Sequence, residues 1–215
     1  IKRYDEAWML MNQALDIAIQ IDSKKQIVAC HKQLYYLCRE FKRMMNERGD
    51  EQASTLFFRE SLLHEMYFSE KPRLAELTVR YEALRCDIMQ QYYMNKNYDN
   101  VIRIATSLDI HDDADPNASC LVYYYKAQAY VKLENYPMAK EAFFRELELR
   151  KKYLGWEEED TILACQNLGV LHSFCNEREE ALACFREAYG HEVKKNGEDS
   201  EMAQKLLQYI SVVES

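Results

Sequence analysis

Small and aromatic residues recur along the chain in a fixed order. In YYYKAQAYVKLENYPMAKEAFFRE, which begins at Tyr123, and CQNLGVLHSFCNEREEALACFREA, which begins at Cys165, Ala127 corresponds to Gly169, Tyr130 to His172, Ala139 to Ala181 and Phe143 to Phe185, always 42 residues on. Gly155 and Gly197 keep the same step. Each unit places a small residue, a second small residue twelve positions later and an aromatic four beyond that. This is the spacing of two helices packed face to face: small residues let the axes approach, and the aromatic fills the groove to the next pair. Upstream, the register continues weakly through Tyr92, Tyr98, Val101 and Ala105, through Ala53 and Phe57, and through Tyr4, Ala7, Met11 and Ala14. The second-helix anchors Ala7, Ala53, Val101, Ala139 and Ala181 are separated by 46, 48, 38 and 42 residues, so the N-terminal half is irregular and Val101 replaces a small residue.

The pattern predicts ten helices, near 5–21, 25–46, 51–67, 71–94, 98–109, 117–133, 137–153, 158–175, 179–195 and 199–213. Pro116 suits a first helical turn, with Asn117 or Ser119 as the cap. Because Tyr4 and Ala7 belong to a second helix, and the first residue is Ile1, the chain is expected to start inside a repeat as a piece of a longer protein. The helix over 199–213 is expected to cover the last apolar face, with Ser211 in the small-residue slot.

Composition narrows the class of molecule. Five glycines and three prolines are too few for the turns of a β-sandwich or the phosphate loops of a dinucleotide-binding fold. A 48% hydrophobic content supports a core, while a mean hydropathy of -0.51 and no apolar run of membrane-spanning length predict no membrane partner. With 28 basic and 36 acidic residues the net charge is -8, which disfavours direct nucleic-acid binding; Lys32, Arg39, Lys42, Arg43 and Arg48 read as a solvated helix face. Seven scattered cysteines, odd in number and without a C-x-x-C pair, read as reduced thiols of a cytoplasmic protein.

No phosphate cradle or nucleophile elbow is present, so the chain is read as a non-enzyme without a cofactor. The five histidines show no metal-ligand spacing, and no metal is expected. Asp113, Asp115 and Asn117 open like a calcium loop, but Ala118 and Tyr124 stand where the glycine and the bidentate glutamate belong. Sixteen tyrosines, several in runs, are mostly structural, one of each run facing the core and its neighbour the groove.

Leu168, Gly169, Ala181, Phe185 and Ala188 follow the order L-G-x-x-Y, A-x-x-x-F, A, with His172 at the tyrosine; the preceding unit follows it with Glu146 at the last alanine. The chain resembles the tetratricopeptide repeat (TPR) family, and its 42-residue step with YLGWEEEDTILACQNLG is similar to kinesin light chains. The resemblance implies an all-α, right-handed α-α superhelix over 1–215: four to five helix-turn-helix repeats, irregular over 1–116 and regular over 117–197, closed by a capping helix at 199–213. It also implies a protein-interaction scaffold that binds a protein or peptide partner on its concave face. SLLHEMYFSEKPRLAELTVRYE is similar to the end of repeat arrays in bacterial tetratricopeptide sensor-regulators, so the alternative is a regulatory module of a signalling or transcription-regulatory protein.

The first helix of each unit lines the inner face of such an array. With Ala127, Tyr130, Gly169 and His172 in the core, the groove-facing positions are Leu121, Tyr124, Tyr125 and Gln128, then Leu163, Gln166, Asn167 and Val170, and in the preceding unit Asp87, Gln90 and Tyr93. Amides and phenols suit a peptide backbone. Gln166-Asn167 matches the N-N step of peptide-binding kinesin-type repeats, and the resemblance implies the same role. These positions hold no Lys or Arg, so the carboxylate clamp of chaperone-binding repeats is not expected.

Overall fold

The computed structural model describes residues 2–69, 81–106 and 115–215. The chain divides into two compact units, Ile1–Ile110 and His111–Ser215. The first contains α1 (Lys2–Gln20), α2 (Lys24–Glu47), α3 (Glu51–Glu65), α4 (Tyr81–Met94) and α5 (Tyr98–Thr106). The second contains α6 (Pro116–Lys132), α7 (Tyr136–Tyr153), α8 (Glu159–Phe174), α9 (Arg178–Asn196) and α10 (Glu201–Glu214). Among the described residues there is no strand, and no helix is long and apolar enough to cross a membrane. The predicted helices agree within three residues, except that 71–80 and 107–109 lie outside the described residues.

The helix pairs are joined by turns of one construction. Lys96, Glu134 and Asn176 adopt φ of 57°, 58° and 60°. The next residue's N–H reaches back to the carbonyl of Tyr92, Tyr130 or His172 at 2.9 Å, which ends the first helix in a Schellman motif. Asn135 then begins the second helix, its side chain accepting from the Met138 N–H at 3.4 Å. Gly49 serves the α2–α3 turn, where Asp50 caps α3. At α6 the cap is Asp115, which accepts from the Ala118 N–H at 3.2 Å, and neither Asn117 nor Ser119. A residue before proline is pushed to extended backbone, here φ -148°, and this sets the Asp115 carboxylate over the first turn.

Within each unit the helices pack in chain order. Ala127, Ala139 and Ala181 are fully buried, as is Val101. A Cβ on Gly169 would lie 2.8 Å from the Phe185 ring and 3.0 Å from the Cys184 Cβ, so only glycine fits at that crossing. Phe185 stacks on Tyr209 of α10 at 5.1 Å, and α10 is seated by Ala203 and Leu206. Ser211, expected in the small-residue slot, is exposed instead. His172 Nδ1–H donates to Glu177 at 2.6 Å, and Glu177 also pairs with Lys140 of α7; the histidine thus ties the end of α8 to the start of α9. In the first unit, Trp8 meets Phe41 and Phe57 edge-on at 5.8 and 6.0 Å.

Candidate functional site

The predicted groove residues of the second unit converge on two adjoining depressions along α6 and α8. The first, about 230 Å³, is lined by Gln128 and Val131 of α6, Tyr136 and Phe143 of α7, and Asn167, Val170, Leu171 and Phe174 of α8. It is apolar and open: Val170 is 41% and Phe174 65% exposed, and Phe174 lies 5.0 Å from the Tyr136 ring. The second, about 370 Å³, takes Leu121, Tyr124, Leu163, Gln166 and Asn167 together with Glu146, Arg150, Asp160, Ala164 and Lys205. Asn167 belongs to both.

The polar depression has an incomplete hydrogen-bond network. Arg150 Nε donates to Glu146 Oε1 at 2.8 Å, and its Nη1 lies 3.3 Å from Asp160. Glu146 Oε2 and Gln166 Oε1 are buried acceptors without a partner, a costly state for polar atoms away from water. Burial pushes the Glu146 carboxyl up to about 7 against the pull of Arg150. Burial, then the charge of Glu146, also raises the Tyr124 phenol. Arg150 thus stands between two carboxylates, those of Glu146 and Asp160.

One expectation needs correction. Gln166 is only 5% exposed and forms floor, not wall, because its position on α8 turns toward α7 and Glu146. The expected positions hold no cation, but two cations stand beside them: Arg150 of α7 and Lys205 of α10 line the second depression. Tyr125 lines neither depression and packs edge-on against Tyr124 at 5.4 Å. In the first unit Asp87 and Gln90 are exposed on α4, Tyr93 packs on Tyr98 at 5.5 Å, and Asp87 stands 4.0 Å from Arg59. The depression between α3 and α4 is lined by Gln91, not by these three. Sequence reasoning missed Phe174, although an exposed aromatic where the preceding unit has Lys132 was a readable signal.

No protein-family model and no curated protein matches the chain. Among solved structures it is similar to BtubC (BKLC) from P. vanneervenii, with a TM-score of 0.58 and 13% identity over 98% of this chain and 82% of that one. The chain therefore has a TPR-like, all-α helical repeat fold.

Proposed function

We propose that the chain is a non-enzymatic protein-interaction scaffold whose second unit binds an extended peptide along α6 and α8. The observation that carries this reading is the pair of depressions sharing Asn167, one apolar with an exposed Phe174, the other holding two buried acceptors without donors. A peptide lying across them would seat an apolar side chain beside Phe174 and Val170 and offer N–H groups to Gln166 and Glu146. The 42-residue likeness to kinesin light chains and the Gln166-Asn167 step support the same face. Neither depression is lined by a histidine or cysteine, so neither pairs such a nucleophile or base with its carboxylates. Asp87, Gln90 and Tyr93 are read as a separate contact surface of the first unit, and the setting as the reducing cytoplasm.

The test is selection of peptides from a random display library, followed by calorimetry. Replacing Phe174 and Asn167 by alanine is expected to weaken the selected peptides by about 1–3 kcal/mol each with helical circular dichroism retained. Selected peptides that bind both variants as tightly as the parent would reject this face.

A further inference from the structure

The first unit buries a polar cluster that peptide binding does not use. Glu60 of α3 is fully buried; Arg103 of α5 pairs with its Oε1 at 2.5 Å and the Tyr92 hydroxyl of α4 donates to its Oε2 at 2.5 Å. One turn along α3, His64 is equally buried, with Nδ1 2.8 Å from Nδ1 of His31 and Nε2 3.6 Å from Glu60 Oε1. Cys38 of α2 completes the group: its sulfur, a Glu60 oxygen and a His64 nitrogen all lie within 4.8 Å of one another.

A single proton must lie between the two Nδ1 atoms. Given by His64, it leaves Nε2 as a bare lone pair 3.6 Å from a Glu60 oxygen. Given by His31, it leaves the His64 Nε2–H with Glu60 Oε1 at 3.6 Å, longer than a formed hydrogen bond. In both cases a buried nitrogen is left unsatisfied at the point where Cys38 and Glu60 converge.

We propose that Cys38 and His64, beside Glu60, form a two-ligand site for a thiophilic metal ion, with His64 bound through Nε2 and held in place by His31. Thiolate and imidazole together select soft and borderline ions, and a ligating histidine commonly donates its second N–H to a partner. Binding releases the Cys38 thiol proton to solvent as the sulfur–metal bond forms. Glu60 and Arg103 already cancel, so the new thiolate is balanced by a monovalent ion, whereas a divalent one leaves a buried positive charge. Charge thus points to Cu(I). With bonds as long as those of zinc, about 2.0 Å to nitrogen and about 2.3 Å to sulfur, a collinear pair of ligands spans about 4.3 Å, inside the 4.8 Å that bounds the cluster. The positions 31, 38, 60 and 64 match no metal motif, which is why the sequence reading expected none.

The whole chain, refolded anaerobically with Cu(I) or Zn(II) and desalted, should retain one Cu(I), with one sulfur and one nitrogen neighbour in its X-ray absorption spectrum. Cys38→Ser and His64→Gln should each lose that ion with helical circular dichroism unchanged, Cys175→Ser should keep it, and His31→Gln should weaken it roughly 10- to 100-fold against a chromogenic chelator. If the serine or glutamine variants do not fold, the absorption spectrum of the parent decides. No retained metal, a metal without sulfur, or retention in Cys38→Ser and His64→Gln equal to the parent's overturns the site; retention of Zn(II) in place of Cu(I) overturns the charge assignment.

Discussion

Glu60 and Glu146 occupy the same place in their repeats, seven residues after Ala53 and Ala139, where the next unit has Ala188. Both are almost wholly buried and both touch an arginine, yet one carboxyl is held at about 2 and the other pushed up to about 7. The burial penalty acts on both. The difference lies in the partners: Glu60 has Arg103 on one oxygen and Tyr92 on the other, with His64 beside it also favouring the charged form, whereas Glu146 has Arg150 on one oxygen and nothing on the second. The arginines also differ in origin. Arg103 reaches from α5 and fastens it to α3, while Arg150 sits one turn from Glu146 on the same helix and is shared with Asp160. A repeat position therefore fixes that a group is buried, and its neighbours fix what burial does to it.

The sharpest way to break this comparison is to remove each arginine. Arg103→Met leaves Glu60 buried and unpaired and should cost about 3–5 kcal/mol in urea unfolding at neutral pH. Arg150→Met should cost less than half as much, because Glu146 can take up a proton; equal losses would contradict the distinction. The pH dependence tests the same point with opposite signs. Glu146 has a folded value above its ordinary 4.5, so its contribution is full below that pH and lost as pH rises through about 7, roughly 3 kcal/mol over the window. Glu60 has a folded value below 4.5, so its contribution is present above that pH and lost as pH falls toward 2, by a similar amount. Denaturation midpoints of Glu146→Gln should lose the decline between pH 5 and 7 and keep the one at acid pH; a variant that still declines above pH 5 would place the titration elsewhere.

Smaller effects ask whether position or neighbours govern the glycines. Gly169→Ala drives a Cβ against Phe185 and Cys184 and should destabilise by about 1–3 kcal/mol, although Ala127 is accommodated at the equivalent slot. Gly190→Ala meets nothing within 4 Å in the middle of α9 and should stabilise by up to ~1 kcal/mol in thermal unfolding. A gain from the first or a loss from the second would reverse the reading.

Among the described residues, helix boundaries and pairing were legible because small and aromatic anchors must recur wherever two axes cross, and Ala139, Ala181, Phe143 and Phe185 do so in plain register. Leu121, Tyr124, Gln128, Asn167 and Val170 were placed on the grooves by the same helical period. Arg150 and Lys205 were not, since they arrive from helices whose reach depends on packing rather than on period. The cluster around Glu60 was invisible for a stronger reason: it joins residues from four helices, and nothing local requires His31, Cys38, His64 and Arg103 to meet.

Asn167 has a consequence of its own. A carboxamide has one accepting and one donating end, and this one stands on the ridge common to both depressions. A guest that engages either end commits the opposite end to the neighbouring compartment. Occupants of the two compartments should then be chosen as a matched couple, so that a single side chain makes two small recesses read a word rather than two separate letters.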